Sequence, residues 1–76
     1  MPQIALESHV SGTVWKIERQ VGDTLAAGDT VMVIESMKME IPVEAPCAGT
    51  LSKLLVAEGD AVTEGQVLGQ LGPAVA

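Results

Sequence analysis

Residues 12–28 read GTVWKIERQVGDTLAAG and residues 49–65 read GTLSKLLVAEGDAVTEG; overlaid at an offset of 37, they need no gap. Gly12/Gly49, Thr13/Thr50, Lys16/Lys53, Gly22/Gly59, Asp23/Asp60 and Gly28/Gly65 are identical. Val14/Leu51, Ile17/Leu54, Leu25/Val62, Val31/Leu68 and Ile34/Leu71 agree in character. Sequence repeats usually mark solenoids, but two copies in 76 residues point to one domain with internal pseudo-twofold symmetry. Each copy has a Gly-Thr start, a β-rich run, a Gly-Asp turn, a short apolar step, another Gly and a second aliphatic run. Glycines at fixed offsets read as backbone positions needing positive φ or close approach, and Gly-Asp pairs mark turns. Helical periodicity is missing between these breakers, so the pattern predicts an all-β sandwich or barrel. Strands are expected near 3–8, 12–18, 23–27, 30–36, 39–45, 49–56, 60–64 and 67–72, four per half, within one domain over 1–76 whose core runs from about 3 to 72.

Composition narrows the function classes. Hydrophobic residues make up 47% of the chain, which argues for a folded domain, and they are aliphatic: one Trp, no Phe, no Tyr. A chain this short buries only about 60–65% of its unfolded surface, so little space is left for a large internal pocket. The net charge of −6 and the lack of aromatic stacking platforms argue against a nucleic-acid binder and disfavour anionic membranes. The apolar runs are too short to span a bilayer, and M-P-Q-I lacks the regions of a signal peptide. Cys47 stands alone, which suits a reducing cytosol, and it reads as a small packed hydrophobe. A cytoplasmic, monomeric domain is expected.

Lys38 breaks the repeat. Lys16 and Lys53 are mates and read as solvated strand positions, whereas Lys38 has no counterpart and lies where the halves meet, in E-S-M-K-M-E-I-P (Glu35–Pro42). The connection between the strands ending near Ser36 and starting near Met39 is short enough to be a two-residue hairpin. Such hairpins favour Asn-Gly, Asp-Gly or Gly-X, and Met-Lys supplies neither Gly nor Asn. A local rule broken in an otherwise consistent sequence suggests a functional site. Three readings stay open. Lys38 can be a plain surface lysine flanked by methionines that fold back on the sheet. It can be a catalytic amine, although Glu35 and Glu40 are anionic neighbours, His9 is the lone histidine and reads as a surface or packing residue, and neither a Ser-His-Asp set nor a metal-ligand cluster can be assembled. It can be a point of covalent attachment, where acylation makes the arm a tether that raises effective concentration at successive partner sites.

The E-S-M-K-M-E stretch resembles the attachment motif of biotin carboxyl carrier domains, commonly Ala- or Ser-Met-Lys-Met. The two G-D-x-φ-x-x-G turns, at Gly22–Gly28 and Gly59–Gly65, resemble that family as well, so the likeness covers about Ile4 to Leu71. The resemblance implies a flattened sandwich of two four-stranded antiparallel sheets, with biotin amide-linked to Lys38. It implies that Met37 and Met39 flank the biotinyl-lysine in recognition, and that Glu35 occupies an acidic position three residues before it. The partners it implies are a biotin protein ligase, a biotin carboxylase and a carboxyltransferase, the carrier itself being no enzyme and binding no metal. Two departures stand out. Ser8-His9-Val10-Ser11 replaces the Ala-Pro-Met that often precedes the first Gly-Thr run, and nine residues separate Gly12 from Gly22 just as nine separate Gly49 from Gly59, so the thumb inserted in some bacterial acetyl-CoA carboxylase carriers is missing.

A lipoyl carrier of a 2-oxoacid dehydrogenase-type complex shares the architecture, but its hairpins usually read Asp-Lys-Ala; methionine on both sides favours biotin. An unmodified interaction domain with a methionine tip is the third alternative. Met1 and the lack of a Pro/Ala-rich linker favour a free-standing carrier over the end of a larger carboxylase.

Overall fold

Eight short strands form, each where the repeat grammar places one, in a computed structural model that describes residues 3–73. They are β1 (Ile4–Glu7), β2 (Gly12–Ile17), β3 (Thr24–Leu25), β4 (Thr30–Ser36), β5 (Met39–Glu44), β6 (Gly49–Leu54), β7 (Ala61–Val62) and β8 (Val67–Gly72). They build two four-stranded antiparallel sheets, ordered β1-β8-β6-β3 and β5-β4-β2-β7. Adding the repeat offset converts one order into the other strand by strand, so each sheet takes two strands from each half. The expected all-β sandwich with pseudo-twofold symmetry is therefore the observed fold. The expected single domain over 1–76 extends at both ends beyond the described residues.

The two halves are laced together by matching hydrogen bonds. Gly22 N donates to Leu51 O at 2.8 Å and Leu51 N to Asp23 O at 2.9 Å; in the other half Gly59 N donates to Val14 O at 2.7 Å and Val14 N to Asp60 O at 2.8 Å. These links need the chain to turn sharply at the Gly-Asp steps. Gly22 and Gly59 do so with φ of 102° and 94°, a region where a side chain is strained. The carboxylates of Asp23 and Asp60 close the same turns, accepting from Gln20 N and Ala57 N, each at 2.9 Å. The β2–β3 and β6–β7 connections are equal in length, and no thumb interrupts the first half.

β3 and β7 are shorter than the sequence suggests. Past Leu25 the Ala26 amide donates to Asp29 Oδ2 (2.9 Å), and past Val62 the Thr63 amide donates to Gln66 Oε1 (3.0 Å). Side-chain acceptors thus take donors that a longer strand would have offered to a sheet.

Between the sheets lies an aliphatic core of Leu6, Val14, Leu25, Val31, Met32, Ile34, Val43, Ala45, Leu51, Val62, Leu68 and Leu71. Most are repeat mates, so one packing scheme is used twice. Met32 is the exception: its mate is Gly69, where a Cβ would press on the Lys53 carbonyl. Cys47 is partly buried and packs against the core. Ser8 is the buried polar residue there. Its hydroxyl donates to Val10 O, and it fills the position that Ala45 fills in the second half, so the changed Ser8–Ser11 segment packs without leaving a polar group unpaired. His9 is exposed and lines a shallow groove with Glu7, Glu44 and Pro46. Lys16 and Lys53 are exposed strand residues, each next to a bulge at the same point of its repeat, and Lys16 lies 3.7 Å from Glu18.

Candidate functional site

The strands β4 and β5 pair from Thr30/Glu44 up to Ser36/Met39, leaving Met37 and Lys38 as a two-residue loop. Their φ values are 52° and 67°, both left-handed, as a type I′ turn requires to match the right-handed twist of the ribbon. No other described non-glycine residue has positive φ. The missing Asn-Gly is therefore a real cost: two ordinary side chains hold a conformation worth about 1–2 kcal/mol of strain per residue. Lys38 is exposed at the extreme of this loop, and no ion pair or hydrogen bond engages its amine among the described residues. The loop provides neither the burial nor the cationic neighbour that a Schiff-base lysine uses.

Strand alternation sets what surrounds the amine. Ile34 and Ile41 are opposite one another on the core side, and Ser36/Met39 continue that face past the end of the core. Met39 is thereby left 63% exposed, and Met37, in the loop itself, 92% exposed. Two apolar side chains at one tip are thus left in water rather than packed. The plain-surface reading, in which both methionines fold back onto the sheet, does not hold for Met37.

On the outer face Glu35 lies directly opposite Glu40, both exposed. Like charges in register across a sheet are mildly destabilising. The motif singles out Glu35 alone, yet its facing partner is equally legible, because a two-residue loop between 36 and 39 makes 35 and 40 the next pair. Two serines at the hairpin base carry no such signal. Ser36 Oγ donates to Ser11 O at 2.8 Å, and Ser11 Oγ accepts from Glu64 N at 3.1 Å, joining the hairpin base to the start of β2 and to the loop before β8. Gly12 beside them lies so close that a Cβ would collide with the Glu35 carbonyl. Among the described residues no group of three or more His, Cys, Asp or Glu is placed to hold a metal.

The hairpin projects from one end of a molecule measuring 39 × 17 × 17 Å. β8 starts beside Ser8 on the hairpin side and runs away from it, so Gln3 and Gly72 meet at the opposite end. Lys38 thus lies at the end away from Gln3 and Gly72.

Comparison with known proteins accords with this geometry. The Biotin_lipoyl family model, described as "Biotin-requiring enzyme", matches residues 1–71. The biotin/lipoyl attachment protein of Bacillus subtilis is 42% identical over 62 residues, covering 82% of this chain and 85% of that one. The dihydrolipoyllysine-residue succinyltransferase component of the 2-oxoglutarate dehydrogenase complex of Staphylococcus saprophyticus is 36% identical over 72 residues, which cover 95% of this chain but 17% of that protein. Among solved structures, the urea carboxylase of Kluyveromyces lactis superposes with a TM-score of 0.90 at 36% identity, over 95% of this chain and 6% of that one. With its doubled β sandwich and a lysine carried on the hairpin between the halves, the chain belongs to the biotin/lipoyl attachment family.

Proposed function

We propose that the chain is a biotin carboxyl carrier, with biotin joined through an amide to Nζ of Lys38 and no catalytic group of its own. The observation that carries this reading is the tip itself: an exposed, unengaged primary amine held in a strained two-residue turn between two exposed methionines. Amide formation needs an amine that a modifying enzyme can surround, and among the described residues no ion pair or hydrogen bond to Lys38 has to be displaced. The group fits the donor present, since one free amine on a protruding turn is all the attachment asks of the chain. Met37 and Met39 offer flexible apolar contacts to the ligase, and Glu35 offers an anionic one. Bound biotin supplies a ring nitrogen that carries a carboxyl group from a biotin carboxylase to a carboxyltransferase. The chain's own part is to present the arm, keep it clear of the sheets and remain rigid beneath it. The likeness to a urea carboxylase domain supports carboxylase partners of this kind.

A second reading, a lipoyl carrier, draws support from the succinyltransferase relative. Methionine on both sides of Lys38, in place of the Asp-Lys-Ala usual in lipoyl hairpins, favours biotin. Intact mass and peptide mapping after expression in cells that make both ligases separate the readings. A biotinyl increment on the peptide holding Lys38 is expected; a lipoyl increment selects the second reading, and an unmodified chain defeats both.

A further inference from the structure

The pseudo-twofold symmetry supplies an internal control for the hairpin. At the lysine end, Gly12 abuts the Glu35 carbonyl; at the other end its mate Gly49 abuts the carbonyl of Gly72, the mate of Glu35. The backbones therefore meet in the same way at both ends. Side chains differ. The lysine end has Ser11, Ser36 and the Glu64 amide linked in series, Ser36 Oγ to Ser11 O at 2.8 Å and Glu64 N to Ser11 Oγ at 3.1 Å. The corresponding residues at the other end are Ala48, Pro73 and Ala27, which carry no hydroxyl. At that end the hydroxyl bonds come from Ser52, to Gln3 and Gln70, at a position whose mate is Trp15, so the sandwich does not require this particular serine series. Like Lys38, the serine chain breaks the repeat, and it does so at the base of the lysine's own hairpin.

The geometry points to Ser36 and Ser11 as positioning residues: they brace the attachment hairpin against β2 and the 63–65 loop, so that Lys38 meets its modifying enzyme from a preset direction. The inference rests on reading Lys38 as the attachment site. Met37 and Lys38 are strained in the turn and gain nothing from packing, so the rigidity of the tip must come from the residues below it. Ser36 is the last residue of β4 and the one that closes the loop with Met39. Without its hydroxyl bond the hairpin keeps its register but samples more directions, and that freedom must then be given up in the encounter with the enzyme.

The test combines ligase kinetics, using biotin, ATP and a biotin protein ligase, with amide hydrogen exchange of the free chain, for wild type, Ser36→Ala, Ser36→Thr, Ser11→Ala and Ser52→Ala. One hydrogen bond is worth about fivefold in such equilibria. Ser36→Ala is expected to raise KM about fivefold with kcat within about twofold, and to speed exchange by a similar factor at the Glu64 amide, which the serine series holds, and at the hydrogen-bonded amides of β4 and β5 next to the loop. Ser36→Thr, which keeps the hydroxyl, restores both, and Ser11→Ala gives a smaller shift in the same direction. Ser52→Ala is the control: it removes hydroxyl bonds to Gln3 and Gln70 at the far end and leaves both readouts unchanged. Wild-type KM in Ser36→Ala overturns the positioning role even if exchange accelerates, and failure of Ser36→Thr to rescue does the same. A wild-type chain that is not labelled at all sinks the attachment reading instead, and the exchange data then decide by themselves whether the brace exists.

Discussion

Replacing Met37-Lys38 by Asn-Gly should make the protein more stable while destroying its tip. Both residues are left-handed, with φ of 52° and 67°. Each such side chain costs about 1–2 kcal/mol, a cost that glycine escapes and asparagine partly escapes. Against this, glycine surrenders about 0.5–1 kcal/mol more backbone freedom on folding. Met37 is 92% exposed, so its removal forfeits almost no packing. The net gain for the double variant is about 1 kcal/mol, or about 4–8 °C in Tm for a domain of this size. Thermal unfolding followed by circular dichroism, with urea unfolding as a cross-check, measures it. Lys38→Ala belongs in the same series because it keeps a Cβ, hence the strain, and should stay within about 0.5 kcal/mol of wild type. An Asn-Gly variant that melts at or below the wild-type temperature would refute the strain reasoning. A stabilised one shows a turn kept for its side chains despite the lost stability.

Two further changes probe the frame around the tip. Asp23→Ala and Asp60→Ala each remove one carboxylate that caps a Gly-Asp turn, so urea unfolding should show losses of about 1 kcal/mol that agree with each other within about 0.5; clearly unequal losses would contradict the equivalence of the halves. Glu40→Lys turns the facing Glu35/Glu40 pair into an opposite-charge pair and should add about 0.2–1 kcal/mol at low salt, a gain that shrinks at high salt.

The legibility of the fold follows from how local its causes are. Eight strands can be placed because every connection except the Met37-Lys38 hairpin carries a glycine or leads into one, and the core pairs Val14/Leu51, Leu25/Val62, Val31/Leu68 and Ile34/Leu71 match in character in the sequence itself. The lengths of β3 and β7 are not legible, because they depend on whether Asp29 and Gln66 turn their side chains back to Ala26 and Thr63. Ser8 has the polarity of a surface residue and is buried; its hydroxyl is satisfied there by Val10, donating to the carbonyl and accepting from the amide. The hairpin under Lys38 is readable from the shortness of the 36–39 connection. Its brace is not, since Ser11 lies 25 positions from Ser36 and 53 from Glu64, separations across which hydrogen bonds leave no pattern in one sequence.

The central claim is that Lys38 accepts biotin, and the most direct measurement is the intact mass of the wild-type chain and of Lys38→Arg after incubation with biotin, ATP and a biotin protein ligase. Arginine keeps the positive charge and the exposed position but lacks the primary amine. The account predicts one biotinyl group on the wild type and none on Lys38→Arg, with both variants equally folded. An unmodified wild type, or a labelled Lys38→Arg, would contradict it.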